Sequence, residues 1–210
     1  MREIYIGKVK NNKWFIILKS GKCFYQNFRD NAFYKLDLTL KIGDCVETEL
    51  IDNEQSYFGN PYCKIVRVYE SENSKQRMLN LICALHCYFD NLYTQSNEYE
   101  HLYTFNEINF YLYMYYSYLR DYLQILANNL KKELKIDITN KLQSFLAQTL
   151  NLLYNGDDPT YDYKIINKNF KRIKKTYLTK KSTDLEVQNF VHNEWQKLTD
   201  KFLSEIAELI

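Results

Sequence analysis

Apolar and polar residues keep two different periods along this chain. Up to about residue 70 the pattern is short and strand-like. Tyr5, Gly7 and Val9 alternate with Ile4, Ile6, Lys8 and Lys10, and Lys13 to Leu18 is β-branched and aromatic. Lys22 to Phe28 follows Ser20-Gly21, and Asn11-Asn12 is suited to a two-residue hairpin. After the turn Ile42-Gly43-Asp44, Val46, Thr48 and Leu50 alternate with Glu47 and Glu49, and Tyr62 to Tyr69 follows Phe58-Gly59-Asn60-Pro61. Five short strands of this kind predict a small barrel.

From about Ser74 the period is helical. Met78, Leu81, Leu85, Phe89 and Leu92 step by three or four, as do Phe105, Ile108, Leu112, Tyr115, Leu119, Tyr122 and Leu126. The second stripe is a heptad seam, and Tyr111, Tyr113, Tyr116 and Tyr118 crowd its other faces. A third helix is expected to be capped by Thr139, with Leu142, Leu146, Leu150 and Leu153 inward. Asn155-Gly156-Asp157-Asp158-Pro159 is the clearest break. A fourth helix is predicted over about 160–178, and a fifth after Ser182-Thr183-Asp184 with the stripe Val187, Val191, Trp195, Leu198, Phe202, Ile206 and Leu209. The expected fold class is α+β: a five-stranded barrel over residues 1–70, then an all-α helical bundle over 74–210.

Composition narrows the classes of function. The 210 residues are 46% hydrophobic and 26% charged, which excludes intrinsic disorder, and 5 Gly with 2 Pro excludes collagen-like or linker character. No apolar run approaches the roughly 18–20 residues that span a bilayer, and Met1 to Tyr5 lacks a signal-peptide layout. Five Cys at no framework spacing favour reduced thiols and a cytoplasmic setting. The formal net charge of +2 announces no polyanion partner, so a nucleic-acid surface has to be local.

The first seventy residues resemble the cold-shock domain, a five-stranded OB-fold barrel. The resemblance is carried by Gly7-Lys8-Val9-Lys10, Phe15-Ile16, Gly21, Cys23-Phe24-Tyr25-Gln26, Gly43-Asp44-Cys45-Val46-Glu47 and Gly59-Asn60-Pro61-Tyr62-Cys63, in order. It departs from the family where Lys13 stands for a stacking aromatic, Trp14 for a Gly and Gln26 for a His. It implies a single-strand-binding face built from Lys10, Lys13, Phe15, Phe24, Gln26 and Phe28, on which bases stack while lysines hold phosphates. The alternative for Phe15 and Phe24 is that they are barrel core or pack on the helical half.

A second candidate surface is 164–181, KIINKNFKRIKKTYLTKK, with eight cations and no acid. The rest of 71–210 holds 9 basic against 17 acidic residues. At 100° per residue Lys164, Lys168, Lys171, Arg172 and Lys175 fall on one side, and Ile166, Phe170, Ile173 and Tyr177 on the other. Such a strip suits a phosphate backbone. Its alternatives are a solvated face and neutralisation of an acidic neighbour; a membrane surface is disfavoured because the apolar side is needed for the bundle.

Other chemistry lacks context. Cys83, His86 and Cys87 have two-ligand spacing without a second cluster, so neither metal nor cofactor is expected. The bundle could be compared with HEPN domains, but no Arg precedes a His by four to six residues: Arg77 and His86 are separated by eight, Arg120 has no nearby His, and Arg172 lies far before His192. The expectation is a non-catalytic nucleic-acid-binding protein, with single-stranded RNA ahead of DNA. The alternatives are a protein-interaction module, such as an inhibitor or accessory subunit of a nucleoprotein complex, and a HEPN-like RNase with an unrecognised site. The Tyr-rich helix is further expected to make a homodimer.

Overall fold

The computed structural model describes residues 3–8, 14–19, 22–27, 40–55, 61–69, 73–98 and 105–210. Among them are the strands β1 (Glu3–Lys8), β2 (Trp14–Lys19), β3 (Lys22–Asn27), β4 (Cys45–Gln55) and β5 (Pro61–Tyr69). The helices are α1 (Ser74–Glu98), α2 (Phe105–Asn129), α3 (Thr139–Tyr154), α4 (Tyr163–Thr176) and α5 (Asp184–Ala207), with a π-helical turn at Leu130–Leu134. The chain forms two compact units. One comprises Met1–Asn91, Asn128–Ile136 and Ala207–Ile210; the other comprises Leu92–Ala127 and Asp137–Ile206.

In the first unit, backbone pairing orders the strands β1–β2–β3–β5–β4, with β4 also beside β1. The β3–β5 pairing is parallel, at Tyr25 and Tyr62. Side chains are described for parts of β1, β4 and β5, which make one antiparallel sheet with β4 in the middle. Their buried cluster is Tyr5, Val46 and Ile65, with Leu40, Ile42 and Val68 packed against it.

This corrects the expected five-stranded OB or cold-shock-like barrel followed by a separate all-α bundle. The described β core draws on three strands of one antiparallel sheet, and helices take more than half of the chain, so α+β fits only loosely. The first part of α1 also belongs with the strands, because the turn at 40–44 is tied to that helix as well as to a strand. Gly43 N donates to the Tyr5 carbonyl at 2.8 Å, and Asn80 Nδ2 of α1 donates to the Gly43 carbonyl at 3.2 Å. Strict alternation in β1 also fails. A register shift between Tyr5 and Gly7, with Gly7 at φ +127°, lets the adjacent residues Tyr5 and Ile6 both become buried.

The first unit also holds a buried charge. Arg77 Nη2 meets Glu133 Oε2 at 2.8 Å, and Ser74 Oγ donates to the same oxygen at 3.0 Å. Burial raises the Glu133 carboxyl, but hydrogen bonds from Ser74 and Arg77, with the charges of Arg77 and Lys132, outweigh it and hold the group below its ordinary value.

The second unit is helical. Its core holds Leu112, Tyr115, Leu119 and Leu126 of α2, Leu142, Phe145 and Leu153 of α3, Ile166, Phe170 and Ile173 of α4, and Val187, Val191, Trp195 and Phe202 of α5. Trp195 stacks on Tyr115 at 5.6 Å between centroids and donates its indole N–H to the Thr149 carbonyl at 2.9 Å. Phe145 and Phe202 stack at 4.7 Å.

The helix ends obey local rules. Thr183 and Glu186 form a reciprocal capping box: Glu186 N donates to Thr183 Oγ1 at 3.1 Å, and Thr183 N to Glu186 Oε2 at 2.6 Å. Thr139 is not the cap but the first residue of α3: Ile138 stands at the N-cap, and Asp137 Oδ1, one residue further out, accepts from both Thr139 N and Thr139 Oγ1. Asn155 and Gly156 end α3 with positive φ. Among the described residues, no helix is long and apolar enough to cross a membrane.

Candidate functional site

Helix α4 is the most one-sided of the described helices. Asp162 caps it, its Oδ1 accepting from Lys164 N at 2.8 Å, and Ile166, Phe170 and Ile173 turn its apolar side into the core. The opposite side carries Lys164, Lys168, Lys171 and Lys175, all exposed. Their spacing of four, three and four residues keeps them within about 60° of arc over roughly 16 Å of axis. No ion pair involves any of these four among the described residues.

Two other cations of the segment behave differently. Lys174 pairs with Asp184 at 2.7 Å. Arg172 is half-buried and donates from Nη2 to the carbonyls of Leu152 at 2.6 Å and Asn151 at 3.3 Å, near the end of α3. The structure thus brings four of the five predicted cations together on an open face and turns the fifth inward. Their neutralisation by an acidic neighbour is not seen for those four.

The strip is flanked by aromatic rings that sequence reasoning left aside. Tyr161 is 63% exposed just before the helix, Tyr163, its first residue, is 53% exposed, and Tyr177 is 52% exposed at its end, stacked on Phe190 at 5.3 Å. Tyr177 therefore does not join the buried stripe assigned to it. Tyr161 meets Tyr113 edge-on at 5.5 Å and Phe110 at 6.4 Å. The signal that could have found this patch is Tyr161-Asp162-Tyr163, two rings around a capping residue at the start of a basic helix.

The other candidate face is only partly within view. Lys10, Lys13 and Phe28 lie outside the described residues, as do the side chains of Phe15, Phe24 and Gln26. The backbone register sets Phe15 opposite Gln26 and Ile17 opposite Phe24, which puts these four residues on one face. The Tyr-rich helix finds partners within its own unit: Tyr115 stacks on His192 and Trp195, Tyr116 meets Tyr154, and Tyr113 meets Tyr161. These contacts remove the argument that its rings need a second chain to cover them.

Among the described residues, groups capable of acid–base or metal chemistry are scattered or sealed. His192 is fully buried, and desolvation lowers its pKa to about 3, so its imidazole stays neutral at ordinary pH. Burial likewise pushes the Tyr154 hydroxyl up, with Tyr113 and Tyr116 adding to the shift. Arg77 is committed to Glu133. Cys83 and Cys87 are exposed and His86 is half-buried on α1; among the described residues no three His, Cys, Asp or Glu side chains converge on a metal position. A groove of about 270 Å³ lies between α3 and α5. Its two lysines, Lys141 and Lys201, share the single carboxylate of Glu205 at 3.7 and 4.0 Å, which leaves it a net charge of +1.

No protein-family model matches this sequence, and comparison with curated proteins and with solved structures returns no match either.

Proposed function

We propose that this is a non-catalytic nucleic-acid-binding protein, with single-stranded RNA as the first ligand and α4 as the phosphate contact. The observation that carries the reading is the row Lys164, Lys168, Lys171 and Lys175, exposed and without a carboxylate partner among the described residues. An ordinary solvated face mixes signs, whereas this one keeps a single sign along its whole length. A polyanion with regularly spaced charges displaces counterions from itself on such a row, and that entropy drives binding.

The test is an electrophoretic or anisotropy titration with a short single-stranded RNA at several salt concentrations. Four phosphate contacts give a slope of log K against log salt of about −3, and each Lys→Gln change at 164, 168, 171 or 175 makes it shallower by about 0.7. Binding that is absent at low salt, or insensitive to these substitutions, refutes the reading. If a protein partner co-purifies instead, the chain is an interaction module.

A further inference from the structure

Phosphate contacts alone do not distinguish a single strand from a duplex, because both present the same charged backbone. The exposed rings beside α4 offer a way to do so. Tyr161 lies three residues before Lys164, the first lysine of the row. Its ring is 63% exposed, yet it is held at two places, by Tyr113 at 5.5 Å and by Phe110 at 6.4 Å, each at an interplanar angle of 74°. Phe110 is itself 48% exposed.

The backbone on both sides of Tyr161 is also fixed. Asp162 N donates to Thr160 Oγ1 at 3.0 Å, and Asp162 Oδ1 caps Lys164 N at 2.8 Å. A large ring that stays half in water while its position is set by edge-to-face contacts and a capped turn is preorganised to receive another flat group. The Asp162 carboxylate repels phosphate at this point, so the phosphate track starts at Lys164 and a base, rather than a phosphate, meets residue 161.

We propose that Tyr161, buttressed by Tyr113 and Phe110, is a base-stacking platform at the head of the lysine row, and that it makes the site select single strands whose bases are free. The inference rests on the reading of α4 as a phosphate contact. Every base has a π-face, so the platform is tolerant of sequence, and a duplex, whose bases are already stacked, gains nothing from it.

The experiment compares three ligands of equal length by fluorescence anisotropy: a single-stranded oligonucleotide, the same strand made abasic, and the duplex. Base-bearing single strand is expected to bind about tenfold more tightly than the abasic strand. Tyr161→Ala removes that difference and leaves the salt slope unchanged, while Tyr161→Phe keeps it. Lys168→Gln with Lys171→Gln weakens both strands alike and flattens the slope. Equal binding of base-bearing and abasic strands by the natural protein, or retention of the difference in both Tyr161→Ala and Tyr161→Leu, overturns the platform while leaving the phosphate reading intact. Absence of salt-dependent binding to all three ligands overturns both.

Discussion

Arg172 and Leu152 are joined by a 2.6 Å hydrogen bond from a guanidinium to a main-chain carbonyl. This contact separates one cation of α4 from its four neighbours, because Arg172 serves the end of α3 while Lys164, Lys168, Lys171 and Lys175 face solvent. A cation near a helix C-terminus also interacts favourably with the helix dipole. Arg172→Ala is therefore expected to lower stability by about 1–2 kcal/mol, seen in the urea midpoint, while the salt slope of nucleic-acid binding is kept. Lys168→Gln has the reverse pattern. A flattened slope in Arg172→Ala at unchanged stability would contradict this division.

Trp195 combines three supports: stacking on Tyr115, full burial and a hydrogen bond to the Thr149 carbonyl. Trp195→Phe loses the bond and opens a small cavity. The expected cost is about 2–4 kcal/mol, measured by urea unfolding at unchanged m. A loss below 1 kcal/mol would show that the indole N–H is not needed there.

His192 links stability to pH. Its folded pKa of about 3 lies below its ordinary 6.5, so the unfolded chain binds the proton first as the pH falls. The contribution is complete above pH 6.5 and drains away between 6.5 and about 3. At pH 5 it amounts to a loss of about 2 kcal/mol relative to neutral pH. Unfolding measured at pH 7 and pH 5 should show this difference in the natural protein and a smaller one in His192→Gln.

Gly43 has φ +91°, and a Cβ placed there would lie 2.2 Å from the Arg77 carbonyl oxygen. That oxygen is main chain and has little room to retreat. Gly43→Ala is expected to cost about 3 kcal/mol or more, read from thermal melting. A variant that melts with the natural protein would mean that α1 and the 40–44 turn are not held together as described.

Periodicity made the helices readable, because burial follows the stripes closely: Met78, Leu81, Leu85 and Phe89 in α1, and Ile108, Leu112, Leu119 and Leu126 in α2, are all in the core. It misled in α3, where Phe145 and Thr149 are buried and Leu146 and Leu150 only partly so. Four-residue leucine steps drift around a helix of 3.6 residues per turn, and the larger ring won the interior place. It misled again at β1, since a one-residue bulge is invisible to a period of two until Gly7 is taken as a signal. The basic row of α4 was legible because charge and period coincide there. The inward turn of Arg172 and the bracing of Tyr161 were not legible, since both depend on α3 or α2, distant in sequence.

The packing around Trp195 gives the helical unit its own optical label. The chain has two tryptophans, Trp14 and Trp195, and the second is sealed from solvent among Tyr115, Tyr116 and His192. In Trp14→Phe, indole fluorescence comes from this site alone, blue-shifted and shielded from aqueous quenchers while the helices hold. Loss of that shielding then times the opening of α3 and α5 independently of whatever the strands are doing.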